Sequence, residues 1–169
     1  MSEHSLGWFN ELGAAELHEK LRSCNAADRF VAEVAAGRPY RSATELADRA
    51  EEVTLSLDWA QVSQALAGHP RIGQRAEGDS AQAQSSRAEQ ASMNTADDAV
   101  RAALIEGNRA YEERFGHVYL IRAAGRTPTE MLAELRRRLD NDETSERTEV
   151  TGQLAEITRL RVERLVSEV

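Results

Sequence analysis

Residues 127–140 read TPTEMLAELRRRLD, and this stretch decides the fold. Thr127 offers a side-chain cap to free backbone N–H groups, Pro128 loses nothing by lacking an N–H at the first helical position, and Glu130 reaches back towards the cap. Together they predict a helix from Pro128 to about Asp140. Working outward, the same punctuation recurs. Thr95-Ala96-Asp97-Asp98 is a weaker box in front of a segment carrying Val100, Leu104 and Tyr111, a helix expected to end near Phe115-Gly116. Downstream, Val150, Leu154, Ile157, Leu160 and Leu165 recur at helical spacing and predict a last long helix from about Glu143 to the end. Upstream, Ser42-Ala43-Thr44-Glu45 is a capping box that opens a stripe at Leu46, Ala50, Val53 and Leu57. Further helices are expected over 10–23, 26–36 (stopped by Gly37 and Pro39), 59–67 and 81–93.

Alanine, leucine, glutamate and arginine dominate the chain while β-branched and aromatic residues are sparse, so propensity favours an all-α fold. A chain of 169 residues is expected to form one domain over 1–169, a helical bundle of about seven to nine helices. Cys24 is the single cysteine, which excludes an intramolecular disulfide and a thiolate metal cage. Lys20 is the only lysine, and it sits in a charged HEK stretch read as a solvated helix face, so Schiff-base chemistry is not expected. A formal net charge of −8 repels phosphate backbones and anionic lipid heads, so neither nucleic acid nor a membrane is an expected partner. The start MSEHSLGWFN lacks a signal-peptide pattern, no stretch has the apolar length to cross a bilayer, and Ser167-Glu168-Val169 is not a peroxisomal address. A cytoplasmic protein is the expectation.

The polar, loop-like stretch Gly68–Asp79 and the short apolar stretch His117–Arg126, which lies between glycines and is assigned no element, sit beside long helices that can hold them rigid, and loops so held often carry function. His69 precedes a proline, so its backbone is extended and its imidazole leaves a loop; alone, it reads equally as an idle surface histidine. His4 and His18 carry only that bland reading, and His117 follows a helix-ending glycine where a cation suits the dipole. Ser86 and Glu89, three apart, put a hydroxyl and a carboxylate on one helix face, a pairing also common at caps and solvated faces. Arg161 is the anomaly. Stepping 100° per residue from Val150, Leu154 and Ile157 brings it onto the apolar stripe, where a guanidinium pairs with a buried acid, reaches solvent, or awaits an anion. Arg159 and Arg164 point away from that stripe and are read as solvated. No metal-ligand spacing, glycine-rich phosphate cradle or Walker pattern is present, so no metal and no nucleotide cofactor is expected.

Four segments, in order, resemble the 2-oxo-4-hydroxy-4-carboxy-5-ureidoimidazoline (OHCU) decarboxylase family: Gly68-His69-Pro70-Arg71-Ile72-Gly73, Ser86-Arg87-Ala88-Glu89-Gln90, Phe115-Gly116 with the following VYLIRAAGRT, and Glu156-Ile157-Thr158-Arg159-Leu160-Arg161. His117-Val118 departs from the pattern, standing where relatives carry an apolar residue and often proline. The resemblance implies an all-helical homodimer, free of metal and organic cofactor, that decarboxylates OHCU to S-allantoin in urate catabolism. It implies that His69 and Glu89 are catalytic and that Pro70, Ser86, Ile121 (through its backbone) and Arg161 bind a small anionic substrate. Two rivals stand beside it: a helical interaction module without catalysis, and a relative acting on another ureido or purine-derived anion.

Overall fold

The computed structural model describes residues 5–73 and 80–167, without the side chain of Thr95. His4, residues 74–79 of the Gly68–Asp79 loop and the last two residues of the predicted final helix lie outside them. Among the described residues the architecture is all-α, with nine helices: α1 (Leu6–Glu11), α2 (Ala14–Cys24), α3 (Asp28–Ala36), α4 (Ala43–Ser56), α5 (Trp59–Leu66), α6 (Ala81–Glu89), α7 (Asp98–Phe115), α8 (Pro128–Arg138) and α9 (Glu143–Leu165). A 3₁₀ turn covers Ala91–Thr95. None of these helices is long and apolar enough to cross a membrane.

Seven of the helices begin where a short side chain takes up a free first-turn N–H: Ser5, Ser42, Asp58, Ser80, Asp97, Thr127 and Asp142 accept from Trp8, Glu45, Gln61, Ala83, Val100, Glu130 and Ser145. The box at Ser42 closes with Glu45 accepting from Arg41 N at 2.7 Å, and that at Thr127 closes hydroxyl to Glu130 carboxylate at 3.1 Å. Gly116, at φ 78°, ends α7 in the left-handed conformation that glycine adopts without strain, as the Phe115-Gly116 pair predicts.

Three expectations need correction. The helix expected over 10–23 is two helices, broken at Leu12-Gly13, because the Arg38 guanidinium gathers the carbonyls of Phe9, Asn10 and Leu12 at 2.8–3.1 Å and so caps α1 from a distance. The helix expected over 81–93 stops at Glu89, where Gln90 leaves helical geometry (φ −95°, ψ 17°) and hands over to the 3₁₀ turn. The cap of α7 is Asp97, two residues inside the predicted box.

The chain divides into two units, Met1–Ala65 with Leu154–Val169, and Leu66–Gln153. In the first, α2 packs on α3 and α3 on α4, burying Leu17, Leu21, Phe30, Val34, Leu46 and Val53. Asn25, also buried there, donates to the hydroxyls of Thr54 and Thr158 at 3.4 and 3.3 Å and accepts from Ala27 N, which satisfies its amide. In the second unit α7 packs on α8. Its core joins Leu104 and Tyr111 of α7 and Met131 and Leu135 of α8 to Ile72, Met93, Tyr119 and Ile121. The loops flagged by the sequence therefore contribute to the core of this unit with Ile72 and Ile121.

Candidate functional site

His69 leaves the end of α5, where its N–H donates to Leu66 O at 3.0 Å, and Pro70 carries the chain away from the helix. Imidazole and proline are half-buried, and His69 Nε2 is itself buried. Three side chains from other elements fix the loop that follows. Asn108 of α7 donates to Ile72 O at 2.8 Å, Glu112 one turn on pairs with Arg71 Nε at 2.8 Å, and Gln90 accepts from Gly73 N at 3.0 Å. Gly73 sits at φ 89°, which a β-carbon would strain.

The Gln90 bond joins the first two motif segments. Ser86 and Glu89 lie on the last turn of α6, Ser86 buried at 3% exposure and Glu89 half-buried, and Gln90 follows directly. A hydroxyl and a carboxylate at helical neighbour spacing thus stand on the element that anchors the His69 loop. A cleft of about 390 Å³ opens on the α7 side of the loop, lined by Arg71, Ile72, Gly73, Ile105, Asn108, Arg109 and Glu112; none of the sequence-predicted site residues lines it.

The third segment, 117–127, forms no helix or strand, yet Tyr119, Leu120, Ile121 and Ala123 are buried. Buried irregular backbone needs side-chain partners for its peptide groups. Arg138 of α8, 1% exposed, supplies one by donating to Leu120 O at 2.8 Å. Gln153 of α9 supplies another by accepting from Arg122 N at 2.8 Å. Ile121 lies between these two bonds. Tyr119 is tied down by its hydroxyl, which donates to Met131 O at 3.0 Å.

Arg138 is itself held by the fully buried Glu146 of α9, with Nε 3.0 Å from both carboxylate oxygens and an NH2 group 2.7 Å from one. Burial works against the guanidinium charge, but Glu146 outweighs it and keeps the Arg138 pKa above its ordinary value. Tyr111 adds a 2.5 Å hydrogen bond to Glu146; burial first, then this bond, push its phenol well above the usual tyrosine range. The Tyr119 ring lies under Arg138 at 4.8 Å. The departure at His117-Val118 is accommodated locally: the His117 ring packs edge-on to Tyr111 at 5.5 Å, and its Nδ1 is 3.0 Å from Val118 O.

Arg161 belongs to the other unit. It points inward, as its place on the stripe predicts, at 3% exposure, with NH1 3.4 Å from Ser23 O. Arg159 differs from its reading as a solvated cation. It pairs with Asp48, Glu51 and Glu163 at 2.8–2.9 Å, chiefly Asp48 raising its pKa, while Arg164 is exposed as expected. Sequence reasoning missed Asn108, Arg138 and Glu146. Each is a polar residue on an otherwise apolar helix face, the signal that singled out Arg161. No group of three or more histidine, cysteine or acidic side chains placed for a metal ion occurs among the described residues.

Fold and loops define a small protein, all-helical among the described residues, whose candidate site residues stand on the His69 and Ile121 loops, on the last turn of α6 and on α9. The chain belongs to the OHCU decarboxylase family: the family model matches residues 10–163, taking in most of both units. It is 30% identical over 142 residues to the 2-oxo-4-hydroxy-4-carboxy-5-ureidoimidazoline decarboxylase of Haloferax volcanii, covering 82% of this chain and 83% of that one. It is 32% identical over 115 residues to the uric acid degradation bifunctional protein TTL of Arabidopsis thaliana, 66% of this chain but only 34% of that protein. Among solved structures, an OHCU decarboxylase crystallised in the presence of (S)-allantoin superposes with a TM-score of 0.76 at 24% identity, covering 89% of this chain and 99% of that one. An (S)-allantoin synthase gives 0.69 at 15% identity, covering 94% of this chain and 52% of that one. At those identities the structural likeness establishes the fold.

Proposed function

We propose that this chain is a carboxy-lyase that decarboxylates OHCU to S-allantoin in urate degradation, with no cofactor. The substrate carries its carboxylate on a carbon adjacent to a C=N bond. When the C–CO₂ bond breaks, its electron pair passes towards that bond, so no external electron sink is required. His69 hydrogen-bonds or deprotonates the neighbouring hydroxyl and favours the enol-like intermediate. Ser86 and Glu89 fix the ureido and ring groups, with Glu89 close to the reacting atoms; Pro70 and the Ile121 backbone complete the cradle, and Arg161 takes the anionic charge. A proton delivered to one face of the intermediate then gives the S product.

The observation that carries this reading is the Gly73 to Gln90 hydrogen bond, which ties the His69-Pro70 loop to the helix end holding Ser86 and Glu89. It joins two motif segments across a sequence separation of 17 residues. The motif resemblance assigns Arg161 its role, and the inward burial of that side chain supports it. The same resemblance assigns a homodimer acting on a small anion, and the net charge of −8 argues against nucleic acid or an anionic membrane as partner. Light scattering should then give twice the chain mass of 18.7 kDa.

The test follows S-allantoin by its chiroptical signal after urate oxidation and ring opening. His69→Asn is expected to slow turnover about 10²- to 10⁴-fold with the fold intact; turnover near the parent rate sinks the histidine role. Arg161→Met should raise KM while the helix stays folded, and unchanged KM with unchanged kcat contradicts the anion role.

A further inference from the structure

A chain that buries a guanidinium and a carboxylate beneath a loop could fill the same space with apolar side chains, often without loss of stability. What apolar side chains cannot do is donate a hydrogen bond. Arg138 turns one of its NH groups outward from the Glu146 pair to Leu120 O at 2.8 Å, and Gln153 takes Arg122 N at 2.8 Å. These bonds grip the residues on either side of Ile121, whose side chain is anchored in the core with Tyr119 and Ala123. Asn141 also donates to Glu146, at 3.2 Å, so the carboxylate is held by three residues and the guanidinium by the carboxylate.

We propose that the buried Arg138–Glu146 pair, together with Gln153, positions the Ile121 peptide for substrate binding. The proposal rests on the reading that Ile121 meets the substrate through its backbone. Arg138, Glu146 and Gln153 act through that peptide and are positioning residues. The reason for a charged pair lies in direction. A bidentate guanidinium–carboxylate contact fixes the plane of the arginine fork, so the remaining NH1 group points at one place. A lysine, a point charge on a flexible stem, would satisfy Glu146 without fixing the direction of a second bond.

Two variants test this with freshly generated OHCU. The double substitution Arg138→Met with Glu146→Leu removes both charges at once and so leaves no unpaired buried ion; Gln153→Met removes the second grip from a half-exposed position. A purely structural role lowers only the folded fraction, which reduces kcat and leaves KM unchanged. A positioning role raises KM. The expected result is a KM at least tenfold above the parent in the double variant, and several-fold above it in Gln153→Met, with helical circular dichroism and cooperative unfolding retained. Should the double variant fail to fold, Gln153→Met decides by the same readout. KM within twofold of the parent in the folded variants overturns the proposal while the proposed function stands. A parent chain that does not turn the compound over overturns both.

Discussion

Asn108 shows what a single residue gives up to hold a loop. It is 4% exposed; its Nδ2 holds Ile72 O, and among the described residues its Oδ1 is a buried acceptor with no hydrogen-bond donor. An orphaned buried acceptor is destabilising by about 1–3 kcal/mol, so a residue that carries one needs another reason to be there. Holding the His69 loop is such a reason. Asn108→Leu keeps the volume, removes the orphan and leaves Ile72 O unsatisfied in its place. These two effects are of similar size, and urea denaturation should find stability within about 1 kcal/mol of the parent. The loop loses its tether, so kcat/KM should fall about tenfold or more, as expected when reacting groups are displaced by an ångström or less. A variant as active as the parent shows that the tether is dispensable.

At the scale of elements, the approach of α7 to α8 depends on a glycine in mid-helix. A β-carbon built on Gly107 would stand 2.4 Å from Leu135 Cδ2 and 3.3 Å from its Cγ, and Leu135 is fully buried. Gly107→Ala therefore sets a helix-propensity gain of about 1 kcal/mol against an overpacking penalty of about 1–3 kcal/mol. The penalty wins, because Leu135 has no room to turn aside, and the thermal midpoint should fall by several degrees. Gly152 in α9 is the control: nothing lies within 4 Å of its added β-carbon, so Gly152→Ala should stabilise by about 0.5–1 kcal/mol. Equal effects at the two positions would mean that propensity alone is at work and the helices are not in contact there. The same contrast explains what the sequence could and could not disclose. Caps at Ser42 and Thr127 and the glycine stop at Gly116 are local chemistry, and they appear where the residues predict. The break at Gly13 arises from a distant partner, Arg38, which no window along the chain contains.

For the whole molecule the legible part of the candidate site was the part with an unusual residue in a regular pattern, or with a motif. Arg161 stood out on its stripe, and His69, Ser86 and Glu89 stood out by resemblance. Asn108, Arg138 and Glu146 obey the same stripe logic on α7, α8 and α9, but a polar residue on an apolar face is informative only once its partner is known. Helix α9 links these results, since it gives Glu146 and Gln153 to one unit and Arg161 to the other. Its first turns carry acids that make its stability depend on pH. The Ser145 backbone N–H, donating to the capping Asp142, holds that carboxyl below its ordinary 3.8, and Arg137, with Asn141 assisting, holds Glu149 below its ordinary 4.5. A carboxylate whose folded pKa lies below its unfolded one binds fewer protons in the native state, so acid favours unfolding. The stabilisation is complete above those ordinary values and is lost as pH falls through the lower, folded ones. Urea midpoints should therefore be nearly flat down to about pH 5 and then decline steeply. Glu149→Gln should flatten part of that acid limb while losing under about 1 kcal/mol at neutral pH, because its partner Arg137 is half-exposed and screened. An acid limb as steep in Glu149→Gln as in the parent would place the proton uptake elsewhere in the chain.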